Sequence, residues 1–110
     1  MPFKFSRCIA LHTPESRQAV DFYTGVLNLP VAEHAESSTE LKAGANRLFV
    51  EYGKAPQVVH EFIVPDLEAA RSELEAAGCT VERWEGKGGC NYVRDPFGLV
   101  FNLWEDPEEF

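Results

Sequence analysis

The chain has 110 residues, of which 45% are hydrophobic and 25% are charged. This length and composition fit one globular domain and exclude a disordered chain, because the apolar side chains can bury enough surface to offset the lost chain entropy. Ten basic against eighteen acidic side chains give a formal net charge of −8. A field of this sign repels nucleic acid and anionic lipid, and it tolerates or attracts a cationic ligand.

Two further classes are excluded by simple patterns. No segment approaches the roughly 20 apolar residues of a membrane span. Residues 1–7 lack the apolar core of an export signal, so we expect a cytoplasmic protein. The cysteines Cys8, Cys79 and Cys90 form neither a CxxC motif nor an even-numbered scaffold, and we expect reduced thiols.

The first half of the chain predicts a strand, a helix and three more strands. Residues 5–12 form a strand-like run that ends at a helix signal. In that signal Thr13 is suited to cap the helix and Pro14 to occupy its first position. Apolar residues then recur at helical spacing, at Ala19, Tyr23 and Leu27. The extended runs that follow are residues 31–36, 39–42 and 47–52.

The second half predicts the same order of elements. Residues 58–64 form the strand, Asp66 is the expected helix cap, and Gly78 is placed to end the helix. One helix face carries the apolar residues Leu67, Ala70, Leu74 and Ala77. The extended runs that follow are residues 80–85, 90–94 and 99–104.

The order βαβββ therefore occurs twice, which predicts an α+β fold. Aligning Glu15 with Asp66 gives an offset of 51 positions between the halves. We predict a single domain over residues 1–110, built from modules of about 1–55 and 56–110. In the predicted arrangement, two modules related by a pseudo-twofold axis each contribute strands to a shared, cupped mixed sheet.

Three segments resemble a known superfamily. Residues 14–29 contain Phe22-Tyr23 and end on Val26-Leu27-Asn28-Leu29; residues 64–78 form the second helix segment; and residues 94–103 begin Arg94-Asp95-Pro96-Phe97-Gly98. In this order they resemble the vicinal oxygen chelate superfamily of glyoxalase I, bleomycin- and fosfomycin-resistance proteins, and extradiol dioxygenases. The resemblance covers nearly the whole chain and implies the cupped fold of two βαβββ modules.

The resemblance also implies four positions at which relatives hold a divalent metal. Counting from the helix starts and from the Asp-Pro-x-Gly segment, and applying the offset of 51 positions, places them at Cys8, Glu51, Val59 and Asn102. Glu51 is a conventional ligand, Cys8 could bind zinc as a thiolate, Asn102 is a weak donor and Val59 cannot bind metal. We therefore expect no metal cofactor; the alternative is zinc, nickel, manganese or iron, held by Glu51 with Cys8 and with His12 or a shifted His60.

Strand alternation predicts which side chains face the cup. The expected ligand-binding residues are Phe49 and Trp104 for stacking, Glu51 and Glu61 for charge, and His12 and Asn102 for hydrogen bonding. The remaining expected cup residues are Cys8, Ala10, Val59, Ile63 and Val100. His60 has the opposite parity and is expected to pack rather than bind.

Three functions stay open from the sequence. The first is a metal-free, bleomycin-resistance-like homodimer that sequesters a small organic molecule. The second is a metal-dependent lyase, isomerase or dioxygenase with Glu51 as its catalytic residue. The third is a dimeric interaction module whose cup is filled by its own side chains.

Overall fold

The computed structural model describes all residues, Met1–Phe110, as eight strands and two α-helices. The first half contains β1 (Lys4–Thr13), α1 (Ser16–Gly25), β2 (Val31–His34), β3 (Ser38–Ala43) and β4 (Asn46–Tyr52). The second half contains β5 (Gln57–Val64), α2 (Leu67–Ala76), β6 (Thr80–Trp84), β7 (Asn91–Arg94), β8 (Val100–Glu105) and a short 3-10 turn (Pro107–Glu109). The predicted α+β order of two βαβββ repeats is confirmed.

The two helices begin differently. Asp66 caps α2 as expected, because its Oδ1 accepts a hydrogen bond from the Ala69 amide at 3.0 Å. The prediction for α1 was wrong: the helix begins at Ser16, its N-cap Glu15 makes no side-chain capping bond, and Pro14 precedes it. Thr13 is the last residue of β1, and its hydroxyl accepts from the Glu15 amide in a local turn instead.

Contacts divide the chain into two compact units, which we call the first unit (Arg7–Val59) and the second unit (Met1–Ser6 with His60–Phe110). In the first unit the strands lie in the order β2-β3-β4-β1, and β1 and β4 are parallel. In the second unit the order is β5-β8-β7-β6, and β5 and β8 are parallel. Each unit therefore carries one parallel pair, extended by a hairpin to an edge strand.

The hydrophobic core is concentrated in the second unit. Its buried cluster consists of Val64, Leu67, Ala70, Val93 and Leu103. Helix α2 contributes two of these residues, whereas α1 in the first unit has no buried residue. The buried hydrophobic residues of the first unit are Leu41, Val50 and Val59. The helix of the first unit is thus less covered than that of the second.

The last strand also ties down the start of α2. The Glu105 carboxylate accepts a hydrogen bond from the Leu67 amide at 2.9 Å, so the last residue of β8 is bonded to the first turn of α2. No helix of the structure is long and apolar enough to span a bilayer.

Candidate functional site

One face of the first unit's sheet carries most of the predicted polar site residues of that unit. The parallel register pairs Ala10 with Phe49 and His12 with Glu51. The antiparallel register pairs Glu51 with Ser38 and Phe49 with Glu40. Because directly paired residues project from the same face of a sheet, these side chains share one surface. We call it the His12 face, made of Cys8, Ala10, His12, Ser38, Glu40, Arg47, Phe49 and Glu51.

His12 and Glu51 are in hydrogen-bonding contact at its centre. His12 Nε2 lies 3.0 Å from Glu51 Oε1, and the two side chains are 12% and 27% exposed. Gly53 makes room for this histidine, because a Cβ at position 53 would lie 2.6 Å from His12 Cβ. The imidazole is thus held against the carboxylate from one side and against the backbone from another.

Arg47 forms a second ion pair on the same face. Its Nε and Nη2 donate to the two Glu40 carboxylate oxygens at 2.9 and 3.0 Å, and its guanidinium carbon lies 5.3 Å from the centre of the Phe49 ring. The Arg47 hydrogen bond lowers the pKa of Glu40, and Glu40 in turn raises the pKa of Arg47. Phe49 therefore lies on this face with a cation already beside its ring.

Ser38 supplies an unsatisfied polar atom. Its Oγ is buried and has no hydrogen-bond partner in the structure. Ser38 is paired with Glu51 across β3 and β4, so this hydroxyl belongs to the same face as the His12–Glu51 pair. A buried hydroxyl without a partner is costly unless a ligand or water atom satisfies it.

In the second unit the predicted residues form a hydrogen-bonded network. Ser6 Oγ and Asn102 Nδ2 each donate to a different oxygen of Glu61 at 2.8 Å. Asn102 Oδ1 accepts from the Asn91 amide at 2.7 Å. Both ends of the Asn102 amide are therefore engaged within the unit, and each Glu61 oxygen already accepts a hydrogen bond.

The remaining predicted residues are apolar or peripheral. Trp104 is paired with Ile63 and is 39% exposed, whereas Val59 is buried in the first unit. His60 packs against the ring of Phe5, with 6.0 Å between the ring centres. This contact is consistent with its expected role as a packing residue.

The four predicted metal positions do not fit a metal ion. Val59 offers no donor atom, and the Asn102 oxygen is engaged by the Asn91 amide. Glu51 is paired with His12 at 3.0 Å. No group of three or more His, Cys, Asp or Glu side chains in the chain is arranged to hold a metal ion. A catalytic zinc site normally uses three protein ligands, which this donor set does not supply.

The strand register shows that the offset of 51 positions does not hold for the last strand of each unit, so Glu51 is not the counterpart of Asn102. Ala10 and Glu61 are 51 positions apart, and they pair with Phe49 and Asn102 respectively. The counterpart of Asn102 in the first unit is therefore Phe49. Glu51 corresponds instead to Trp104, because their parallel-strand partners His12 and Ile63 are also 51 positions apart.

Sequence reasoning missed four residues of these surfaces: Ser38, Glu40, Arg47 and Asn91. Extending the alternation from Glu51 to Arg47 finds the arginine, and pairing across the turn at residues 43–46 finds Glu40 and Ser38. The burial of the Ser38 hydroxyl and the network around Asn91 depend on three-dimensional packing and have no signal in the sequence.

Comparison with known proteins decides the family. Residues 8–104 match the family described as Glyoxalase-like domain. The chain belongs to this family. No curated protein matches the sequence of this glyoxalase-like chain.

Solved structures share the fold of the glyoxalase-like chain at low sequence identity. A hypothetical protein from Bacillus halodurans C-125 is 13% identical, with a TM-score of 0.70 and 96% of each chain covered. A glyoxalase/bleomycin resistance protein/dioxygenase superfamily member from Vibrio splendidus 12B01 is 14% identical, with a TM-score of 0.67, covering 96% of this chain and all of the other (100%).

A larger enzyme contains the same fold. Homoprotocatechuate 2,3-dioxygenase from Brevibacterium fuscum, in complex with 3,4-dihydroxyphenylacetate, is 21% identical with a TM-score of 0.68. The match covers 94% of the glyoxalase-like chain and 37% of the dioxygenase. Identities this low establish a shared fold and leave the activity open.

Proposed function

We propose that this glyoxalase-like chain binds a small organic molecule on the His12 face without a catalytic metal ion. The observation that carries the proposal is the buried Ser38 hydroxyl, which has no partner and lies on the same face as the His12–Glu51 contact and an aromatic ring. Small-molecule sites use a few precisely placed polar groups to orient the ligand, and the His12 face carries such groups beside one aromatic ring.

The polar groups define the chemistry that such a ligand needs. The Ser38 hydroxyl can donate to or accept from a ligand atom, and the Glu51 carboxylate favours a positively charged or hydrogen-bond-donating group. Phe49 offers a ring face, already contacted by Arg47, to an aromatic or cationic group. A small organic molecule with one donor group and one apolar part is complementary to this surface.

The contacts that Glu51 and Glu61 already make favour ligand binding over metal-dependent catalysis. Glu51 is paired with His12 in the first unit, and Glu61 is held by Ser6 and Asn102 in the second. A metal-dependent lyase, isomerase or dioxygenase would need these oxygens as ligands. We therefore place sequestration of an organic molecule before turnover as the function.

The test combines metal analysis with ligand screening. The purified full chain is dialysed and its zinc, nickel, manganese and iron contents are measured. Small organic cations and aromatic compounds are then screened by thermal shift, and hits are titrated calorimetrically with and without EDTA. We expect less than stoichiometric metal, and ligand affinity that EDTA leaves unchanged.

Variants assign the hits to the His12 face. Glu51→Gln and Phe49→Ala should each weaken binding roughly tenfold, the scale of one charge-assisted hydrogen bond or one stacked ring. Glu108→Gln, an exposed carboxylate in the 3-10 turn of the second unit, is the matched control and should bind normally. Stoichiometric metal after dialysis, loss of binding in EDTA, or full affinity in both site variants would each overturn the proposal.

A further inference from the structure

The first unit contains a groove whose residues Arg17, Asp21 and His34 take no part in the proposed function. It has a volume of about 650 Å³ and runs between α1 and the β2–β3 hairpin. Val50 and Tyr52 of β4 line it, whereas Phe49 and Glu51 belong to the His12 face. Because neighbouring residues of a strand point to opposite faces, the groove lies on the helix side of the sheet. Its side chains that matter here are Ser16, Arg17, Asp21, His34 and Thr39.

The two hairpins identify which residue of the second unit corresponds to His34. In the first unit His34 is paired with Thr39, and in the second Trp84 is paired with Asn91. Both edge strands shift register at the same point, between Val31 and Glu33 in β2 and between Val81 and Arg83 in β6. His34 therefore occupies the position that Trp84 occupies in the second unit.

In the second unit this space is filled by the indole of Trp84. Its Nε1 donates to Glu68 at 3.0 Å, and the guanidinium carbon of Arg71 lies 5.0 Å from the ring centre. The ring packs against the core cluster that contains Val64 and Leu67. The helix and the hairpin of the second unit are thus closed over an aromatic ring.

In the first unit three smaller or more polar residues stand at the equivalent positions. His34 replaces Trp84, and the offset of 51 positions places Ser16 at the position of Leu67 and Thr13 at that of Val64. His34 Nδ1 lies 3.2 Å from Thr39 Oγ1, so the imidazole is hydrogen-bonded across the β2–β3 hairpin. The space that an aromatic ring fills in one unit is therefore open in the other.

The charged side chains at the rim of the groove determine which charged groups an aromatic ligand needs. Arg17 stands where Glu68 accepts the indole proton in the second unit, so a donor replaces an acceptor. Asp21 lies one helical turn further on and also lines the groove. Neither side chain forms an ion pair within 4.0 Å, although their spacing along the helix would allow one.

We propose that this groove binds a zwitterionic aromatic amino acid. The ring takes the place that Trp84 has in the second unit, the carboxylate binds Arg17, and the ammonium group binds Asp21. Ser38, at the start of β3, lines the groove and also belongs to the His12 face. The proposal is nevertheless separate from that face, because His34, Arg17 and Asp21, to which the ligand is assigned, do not lie on it.

Three related probes separate the contributions of ring and charges. L-Tryptophan carries the ring and both charges, tryptamine lacks the carboxylate, and indole-3-propionate lacks the ammonium group. Each is titrated into the ¹⁵N-labelled full chain, and the amide resonances of α1 and the β2–β3 hairpin are followed. We expect L-tryptophan to bind there, and each of the other two to bind roughly tenfold more weakly.

Variants assign each charge to its partner. Arg17→Gln should weaken L-tryptophan and indole-3-propionate and leave tryptamine unchanged. Asp21→Asn should weaken L-tryptophan and tryptamine and leave indole-3-propionate unchanged. Gln18→Ala, an exposed change on the same helix outside the groove, is the control and should bind all three probes normally.

The internal repeat also provides a variant that closes the groove. His34→Trp with Arg17→Glu recreates the Trp84–Glu68 pair of the second unit, and it should abolish L-tryptophan binding while the chain stays folded by NMR. The proposal is overturned if L-tryptophan shifts no groove resonance, if tryptamine and indole-3-propionate bind as well as L-tryptophan, or if the folded double variant binds with full affinity. Failure on the His12 face would leave these results unchanged, so the two proposals can be separated.

Discussion

Asn91 shows how one buried side chain can organise a turn and two strands. Its side chain is fully buried, its Oδ1 accepts from the amides of Glu85 and Gly86, and its Nδ2 donates to the carbonyls of Gly86, Gly89 and Leu103. These bonds fix the turn between β6 and β7 to the neighbouring strand β8. Its backbone amide also orients Asn102, so a structural residue controls a predicted site residue.

Removing the side-chain amide of Asn91 should therefore destabilise the second unit. We expect Asn91→Ala to lower the free energy of unfolding by about 2–4 kcal/mol, because one buried and several part-buried backbone groups lose their partner at once. Urea denaturation followed by circular dichroism measures the change. Gln57→Ala, at an exposed position, is the control and should stay within about 0.5 kcal/mol of the parent chain. A similarly small effect of Asn91→Ala would show that the network contributes little.

Gly53 makes a second prediction at the scale of single residues. An added Cβ at Gly53 would meet His12 Cβ at 2.6 Å, whereas at Gly25 it would meet nothing within 4 Å. Gly53→Ala should cost about 1–3 kcal/mol and shift the NMR signals of the His12 imidazole, since overpacking forces neighbouring atoms to move. Gly25→Ala should be neutral or slightly stabilising. Equal stabilities for the two variants would contradict the close packing of His12.

At the scale of elements, the β3–β4 hairpin is joined by the Glu40–Arg47 ion pair. The Arg47 hydrogen bond holds the pKa of Glu40 in the folded state below its ordinary value of 4.5. A carboxyl whose pKa is depressed on folding stabilises the fold at pH values above its unfolded pKa. That contribution is lost as the pH falls through the folded pKa.

Glu40→Gln should therefore destabilise the chain at neutral pH and not in strong acid. We expect a loss of about 0.5–1 kcal/mol at pH 7, in the range of a bidentate pair near the surface. The difference from the parent chain should shrink as the pH falls below 4.5, the ordinary value for this carboxyl. Urea denaturation at several pH values measures it, and the Arg47→Gln/Glu40→Gln double variant isolates the coupling. A difference that is constant with pH would exclude the ion pair as its cause.

The elements themselves were largely predictable, and their register was not. Alternation and helix signals placed every strand and both helices, because hydrophobic period and capping are local properties of the sequence. The predicted capping of α1 by Thr13 was wrong because Thr13 is the last residue of β1. The repeat spacing also changes along the chain: it is 51 positions for the helices, whereas the pairings of His12 with Glu51 and Ile63 with Trp104 make it 53 for the last strands. The repeat spacing changes because corresponding turns of the two halves differ in length, so a single offset cannot align every strand.

The same limit applied to the candidate site. Parity placed His12, Phe49 and Glu51 on one face, and the structure confirms that they share it. The contact between His12 and Glu51 depends on parallel pairing of strands 39 positions apart, which alternation within each strand does not encode. The engagement of Asn102 by Glu61 and Asn91 is likewise a matter of long-range packing.

At the scale of the whole molecule, the two βαβββ units differ in how the space between helix and sheet is packed. The second unit closes its helix over a buried cluster, with Trp84 packed against it, whereas the first unit leaves α1 without a buried residue and keeps an open groove beside it. Burial of apolar surface is the main stabilising contribution in each. The first unit therefore has less to hold it together and more surface available for ligands.

This asymmetry predicts that the first unit opens first. In native-state hydrogen exchange we expect the amides of β3 and β4 to exchange with a lower opening free energy than those of β7 and β8, since local stability follows buried apolar contact. His34→Trp with Arg17→Glu, which fills the groove, should raise protection in β3 and β4 and leave β7 and β8 unchanged. If β3 and β4 prove as protected as β7 and β8 in the parent chain, the open groove does not weaken its unit.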